Sequence, residues 1–193
     1  MPTRALVVLT AVLLLSGLTA GAASASERVL HDPAGDMWRA DFTGETQPAP
    51  HTRAGDVRRA SFRHGPKNIV IRQRFVDLRR IGKYAAYYAR IQNGAKDRYR
   101  EVQVEARRGS WRGKIRVFDR RGAKVACAAT HRIDYAKNTL VIKVPRSCLA
   151  TPRLVRATTG NAWAQRRDQV FLLDNPHTKR ASAPTWTRWV RSA

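Results

Sequence analysis

Apolar and polar residues alternate along much of the chain. Between positions 100 and 107, Val102, Val104 and Ala106 are separated by polar side chains. A period of two places the apolar side chains on one face of a β-strand. The same period recurs in several other stretches: 68–76, 111–117, 125–133, 140–144 and 155–159. Residues 169–173 and 185–190 are predicted to be further strands, and the last of these closes the sheet.

Turn sequences separate these stretches. Asn93-Gly94 is a strong hairpin signal, and Asp119 to Gly122 forms another turn. Short strands with turns at intervals of about 8–12 residues are typical of antiparallel sandwiches and barrels. The sequence therefore predicts an all-β antiparallel sandwich of about 8–10 strands. Residues 81–91, which are rich in Ala and Tyr, leave open a helical turn or two, while 43–55 and 174–184 are predicted to be long loops.

The first residues have the pattern of a secretory signal peptide. Arg4 precedes an apolar run over 5–15, and Ala23-Ser24-Ala25 offers small residues to signal peptidase. The run is shorter than the roughly 20 apolar residues that span a bilayer, although an uncleaved anchor remains the alternative. We expect cleavage after Ala25, release outside the cell without a transmembrane anchor, and a single domain over 26–193.

Two cysteines, Cys127 and Cys148, are predicted to form a disulfide. Pairing is usual in an exported chain, and no CxxC motif suggests metal or redox chemistry. A hairpin folded about the midpoint of Lys137 and Asn138 would place Ile133 opposite Ile142. The same register would place the two cysteines opposite each other.

Basic residues greatly outnumber acidic ones. Lys and Arg total 37 against 14 Asp and Glu, which gives a formal charge of +23, and 29 of the basic residues are Arg. A GC-rich genome would also give an Arg- and Ala-rich composition. Whatever its origin, such a charge attracts polyanions and releases their counterions on contact. We therefore expect partners among anionic extracellular polymers and cell-wall material.

Acidic residues group near the start of the predicted domain. Asp32 and Asp36 lie in the sequence DPAGD, and Asp56 precedes a predicted strand. Carboxylates on bent loops can converge on Ca²⁺, which binds six to eight oxygen atoms. The alternative is that these residues stabilise turns and neutralise nearby Arg. Calcium is the one cofactor that the sequence suggests.

Two groups combine aromatic and basic side chains and are candidate binding residues: Tyr84, Tyr87 and Tyr88, and the group Trp186, Arg188 and Trp189. Aromatic faces stack on sugars or bases while Arg pairs with anions. The alternative is that the rings fill the core while Arg side chains lie beside them.

The chain resembles uncharacterised secreted actinobacterial proteins with a β-sandwich similar to DOMON and family 9 carbohydrate-binding modules. The resemblance rests on DPAGD, GDVRRASFRHG, NIVIRQRFVDL and VPRSCL. It implies a non-enzymatic sandwich, and no haem or sugar ligand carries over from it.

No catalytic motif accompanies the five histidines. The leading hypothesis is an exported binding or structural module. A hydrolase whose His and Asp meet only in the fold is the first alternative, and a non-specific nucleic-acid binder, which export disfavours, is the second.

Overall fold

A computed structural model describes residues 26–41, 43–165, 170–177 and 185–192 of the chain. The predicted signal peptide, 1–25, lies outside these ranges. Within them, no helix is long and apolar enough to cross a membrane.

The described residues form two antiparallel sheets. The strands of the smaller sheet are, in spatial order, β1 (Ser26–His31), β4 (Val57–His64), β5 (Asn68–Phe75), β10 (Thr139–Pro145) and β9 (Thr130–Asp134). The strands of the larger sheet are, in spatial order, β3 (Thr46–Pro48), β2 (Trp38–Asp41), β12 (Val170–Asp174), β11 (Leu154–Gln165), β6 (Tyr84–Asn93), β7 (Tyr99–Arg107) and β8 (Ser110–Phe118). A last strand of this sheet, β13 (Val190–Arg191), pairs with the start of β11.

The sheets pack face to face and enclose one hydrophobic core. Each strand contributes alternate residues, as the sequence predicts, because successive side chains point to opposite faces. On β7, Val102, Val104 and Ala106 are fully buried, and on β5 the inward side chains include Ile69 and Ile71. The predicted antiparallel sandwich is confirmed.

The described part of the chain has more strands than the sequence predicts. Thirteen are present, and the extra ones include the short β2 and β3. Strands of two to four residues are too short to show alternation. For the same reason β3 is not predicted inside the loop 43–55. Of the predicted closing strand 185–190, only Val190 pairs as a strand, in β13.

The stretch from Tyr84 to Ile91 belongs to a strand, and the helical alternative is wrong. On β6 the residues Ala85, Tyr87, Ala89 and Ile91 are completely buried, and the residues between them face outward. The alternation of buried and outward residues is not visible in the sequence, because Ala and Tyr occur on both faces of this strand.

Cys127 and Cys148 form a disulfide, with their Cα atoms 5.6 Å apart. The sequence suggested that they lie opposite each other across the hairpin, and this is wrong. Cys127 precedes β9, and Cys148 lies in a short 3-10 helix, Arg146–Leu149, that follows β10. Both half-buried cysteines pack against the core. The bridge therefore ties the segment before the hairpin to the segment after it.

The register of the β9–β10 hairpin also differs from the prediction. Ile133 pairs with Leu140, not with Ile142. The turn lies one residue earlier than expected because Asn138 adopts a left-handed conformation (φ 52°) and the Asp134 carboxylate accepts a hydrogen bond from the Lys137 amide. A one-residue move of the turn shifts the pairing by two, so each side chain keeps its predicted face.

Replacing Cys127 and Cys148 together by Ala should lower the free energy of unfolding by about 3 kcal/mol, because the open chain gains entropy in the unfolded state. Equilibrium urea denaturation of the oxidised protein and the variant measures this difference. Reduced wild type should match the variant. An unchanged urea midpoint would show that the bridge does not stabilise the sandwich.

Candidate functional site

The outer surface of the five-stranded sheet carries a group of basic side chains, which we call the arginine face. It consists of exposed residues on three adjacent strands: Arg59 and Arg63 on β4, Arg72 and Arg74 on β5, and Lys143 on β10. Arg59 lies directly opposite Arg74, and Arg72 lies opposite Ser61. Like charges opposite each other across strands destabilise a sheet. The arrangement therefore carries an energetic cost that a bound anion would relieve.

A bulge in β4 brings two consecutive arginines to the outside. The register shifts between Val57 and Arg59, so Val57 and Ala60 both point inward while Arg58 and Arg59 are both exposed. An extra residue of this kind bends a strand and redirects its side chains. Arg58 thus extends the basic surface beyond one end of the arginine face, towards Arg53 and Lys137.

Few carboxylates accompany the arginine face. Among the described residues, no Asp or Glu oxygen lies within 4.0 Å of a charged nitrogen of Arg59, Arg72 or Arg74. Glu27 on β1 lies opposite Arg63 on β4. On β9, Arg132 pairs with Asp134 at 3.2 Å. These two acids lie at the two edges of the sheet.

The outer surface of the eight-stranded sheet is different, because it carries ion pairs. Glu101 and Glu105 project from β7 and accept hydrogen bonds from Arg90 and Arg116, each at 2.9 Å. The guanidinium of Arg90 also lies over the Tyr88 ring, 5.4 Å from its centroid. Among the described residues, no such ion pair involves Arg59, Arg72 or Arg74 on the smaller sheet.

The candidate aromatic residues do not form one platform. Tyr84 and Tyr88 are half-buried on the outward side of β6, whereas Tyr87 is fully buried in the core and has no surface to offer a ligand. Trp186 packs on Tyr99, which lies opposite Gln92 in the strand pair β6–β7. Gln92 and Tyr84 are near opposite ends of β6, about 27 Å apart along the strand.

Trp186 and Trp189 stack on Arg156 and not on Arg188, the arginine next to them in the sequence. Arg156 lies over both rings, 4.9 and 5.0 Å from their centroids, and donates hydrogen bonds to the Gln92 side chain. Arg188 is exposed. The two indoles therefore stack on a side chain of the protein itself.

A second group of charged residues lies inside one end of the sandwich, and we call it the carboxylate cluster. Asp32 and Asp36 lie in the connection between β1 and β2, Asp56 precedes β4, and Asp174 ends β12. Oxygen atoms of Asp32, Asp36 and Asp174 all lie within 4.8 Å of one another. The structure thus brings two predicted metal-binding residues together with Asp174, which sequence reasoning missed, and places Asp56 beside them.

Backbone hydrogen bonds hold the cluster in place. The amide of Gly35 donates to Asp56 at 2.8 Å, and the amide of Val57 donates to Asp174 at 2.5 Å. Gly55 makes the approach possible, because it has a left-handed φ of +84° and an added Cβ would lie 2.3 Å from the Trp163 indole nitrogen. Asp56 and Asp174 are almost completely buried, and Asp32 and Asp36 are half-buried.

Burial and mutual repulsion raise the pKa values in the cluster. Burial is the main cause for Asp32, whose pKa rises to about 9, and repulsion from Asp174 and Asp36 adds to it. Burial also raises the pKa of Asp174 to about 7, against the stabilising amide of Val57. The pKa of Asp56 is raised mainly by burial, while the Gly35 amide and the charges of Arg58 and Arg53 oppose the rise.

The histidines give no support to a hydrolytic site within the described ranges. His64 is buried and contacts the Val190 carbonyl, and His177 is half-buried and accepts a hydrogen bond from the Thr159 amide. His131 contacts the Arg112 carbonyl. No histidine in this part of the structure is bonded to an Asp, so the relay that a His–Asp mechanism requires is missing there.

Two signals in the sequence could have identified the missed residues. Arg72 and Arg74 alternate with buried residues in β5, which marks them as outward neighbours. Asp174 directly follows the predicted strand 169–173 in a chain where acids are scarce, but nothing local indicates that it meets residues about 140 positions earlier. That contact depends on the strand order of the sheet.

These features define an antiparallel β-sandwich with a basic outer face and a buried carboxylate cluster. A scan against protein-family models finds no match, and searches of curated proteins and of solved structures likewise find none. The proposed resemblance to actinobacterial sandwich proteins therefore stays a prediction, and function must be argued from the chain itself.

In buffer freed of divalent cations, the free energy of unfolding should fall as the pH rises from 7 to 9. In the folded state the carboxyl groups of Asp32 and Asp174 have pKa values of about 9 and about 7. In the unfolded chain the same groups release their protons near pH 3.8. The folded state thus binds more protons in this window, and raising the pH disfavours it.

Urea denaturation at several pH values measures this slope. Below the usual histidine pKa of 6.5, His177 opposes this slope without reversing it. Burial lowers its pKa to about 4, so the unfolded chain binds that proton first, but the folded state still holds the two protons of Asp32 and Asp174. The D32N/D174N variant should show a flatter slope above pH 7. The same slope in both proteins would contradict the assignment.

Proposed function

We propose that this chain is an exported, non-catalytic binding module that holds anionic extracellular polymer or cell-wall material on its arginine face. The observation that carries the proposal is the group formed by Arg59, Arg72 and Arg74. These side chains are adjacent on two paired strands and have no carboxylate partner among the described residues.

The geometry of this face suits a linear polyanion. Neighbouring strands are about 4.8 Å apart, and outward residues recur about every 6.8 Å along each strand. Each guanidinium can bind a phosphate, sulfate or carboxylate group through two parallel hydrogen bonds. A flat array of this kind contacts several successive anionic groups of one polymer chain without a deep pocket.

Export is supported by the signal-peptide pattern over 1–25 and by the disulfide, which forms and persists in oxidising compartments. Outside the cell, the arginine face would meet wall polymers and acidic polysaccharides more often than nucleic acid. Binding to DNA would then be an effect of charge with no reading of bases.

Replacing Arg59, Arg72 and Arg74 by Gln should weaken binding to a poly(glycerol phosphate) polymer about tenfold or more at 0.15 M salt, because three cationic contacts are lost. The slope of log affinity against log salt should become shallower by about 2. Isothermal titration calorimetry between 0.05 and 0.5 M salt measures both quantities.

A matched control removes the same charge from the other sheet. The R107Q/R108Q/R112Q variant changes three exposed arginines on and between β7 and β8. Because none of these side chains belongs to the arginine face, this variant should keep most of the affinity. Equal losses in the two variants would indicate attraction by net charge alone, and retention of affinity by R59Q/R72Q/R74Q would contradict the proposal.

Double-stranded DNA and an uncharged dextran separate the alternatives. Dextran should not bind. DNA should bind no more tightly than the phosphate polymer at equal phosphate concentration, and with the same dependence on Arg59, Arg72 and Arg74. Markedly tighter, sequence-dependent binding to DNA would favour the nucleic-acid alternative instead.

A further inference from the structure

The carboxylate cluster brings four acidic side chains together at the buried end of the sandwich. Asp56 and Asp174 are 1% and 3% exposed. Among the described residues, no Lys or Arg nitrogen lies within 4.0 Å of Asp32, Asp56 or Asp174. Buried carboxylates that repel one another need protons or a cation to be stable.

Two buried oxygen atoms beside the cluster also lack a hydrogen-bond partner in this part of the structure. Oδ1 of Asp56 is unpaired, while its other oxygen accepts the Gly35 amide. Asn161 is 1% exposed and lies directly opposite Asp174 on the neighbouring strand β11. Its Nδ2 donates to the Gly55 carbonyl at 3.0 Å, which places the side-chain amide beside the backbone that leads into Asp56. Its Oδ1 has no partner among the described residues.

Unpaired buried acceptors are costly, and an acceptor cannot satisfy another acceptor. A proton shared within the cluster, as between the hydrogen-bonded side chains of Asp32 and Asp36, satisfies one carboxylate pair. It leaves the oxygen atoms of Asp56 and Asn161 without a donor. A bound cation would satisfy all of them together.

We infer that the carboxylate cluster is a structural calcium site, in which Asp32, Asp36 and Asp174 bind one Ca²⁺ and the buried oxygen atoms of Asp56 and Asn161 complete its surroundings. The assignment adds Asp174 and Asn161 to the residues that the sequence suggested. It is independent of the arginine face.

The donor set favours Ca²⁺ over other common cations. All the donors are oxygen atoms, and neither His nor Cys belongs to the cluster, which disfavours Zn²⁺. Oxygen atoms that bind one Ca²⁺ at about 2.4 Å can be up to about 4.8 Å apart, and the oxygen atoms of Asp32, Asp36 and Asp174 lie within that distance of one another. Mg²⁺ requires a tighter, nearly octahedral shell and retains several of its water molecules.

Such an ion would connect the two sheets. Asp32 and Asp36 lie in the segment that passes from β1 of the smaller sheet to β2 of the larger one, Asp56 precedes β4, and Asp174 ends β12. One ion would therefore hold together three segments that are distant in sequence, at the end of the sandwich where the sheets are joined.

Terbium luminescence and thermal unfolding of the purified protein test this inference. After treatment with chelator, Tb³⁺ should show emission sensitised by Trp163, whose indole lies against Gly55, and Ca²⁺ should displace it. With a dissociation constant in the range of extracellular calcium modules, 10 mM Ca²⁺ should raise the thermal midpoint by roughly 3–10 °C. Mg²⁺ should have a much smaller effect.

Two variants with equal charge change provide the control. D32N/D174N should lose both the Tb³⁺ signal and the calcium shift. Its midpoint in chelator should be higher than that of wild type, because repulsion is removed, so loss of folding cannot explain the result. D97N/D119N changes two carboxylates in turns and should behave like wild type. Absence of a calcium shift in wild type, an equal shift with Mg²⁺, or an unchanged shift in D32N/D174N would overturn the inference.

Discussion

The burial of Asp32, Asp36, Asp56 and Asp174 close together, with the repulsion that it adds, is an electrostatic constraint on which the joining of the two sheets depends. These side chains lie where the connection between β1 and β2, the start of β4 and the end of β12 come together. Each segment is fixed there by backbone amides, such as those of Gly35 and Val57, that bind the carboxylates. Whatever neutralises the cluster therefore also stabilises the junction between the two sheets. Without neutralisation, the same contacts would be opposed by the burial of charge.

The distribution of acids also explains the basic surface. Only 14 acidic residues accompany 37 basic ones, and four of the acids lie in the cluster. Glu101 and Glu105 pair with arginines on the larger sheet, while Asp97 and Asp119 accept hydrogen bonds within turns. Few carboxylates are left for the outer side of the smaller sheet. The exposed charge of Arg59, Arg72 and Arg74 is thus a consequence of where the fold uses its acids.

The sequence predicts much of this fold because alternating apolar and polar residues indicate directly which side chains of a strand point into the core. Residues such as Val104 and Ile71 lie where their period of two indicates, and the cysteines pair as expected. The register of the β9–β10 hairpin was wrong by two residues because it depends on the conformation of one turn residue, Asn138. The sites were predicted less well. Asp32 and Asp36 stand out by local spacing, but Asp174 and Asn161 join them only through the strand order, which no local pattern contains.

The position of the cation is the most direct test of the account. Crystals grown with Ca²⁺, measured at a long X-ray wavelength, should show one anomalous peak inside the sandwich, within about 2.3–2.6 Å of oxygen atoms of Asp32, Asp36 and Asp174. The peak should be missing from crystals grown with chelator. A cluster without an anomalous peak at saturating Ca²⁺, or one in which a lysine or arginine nitrogen occupies that position, would contradict the account.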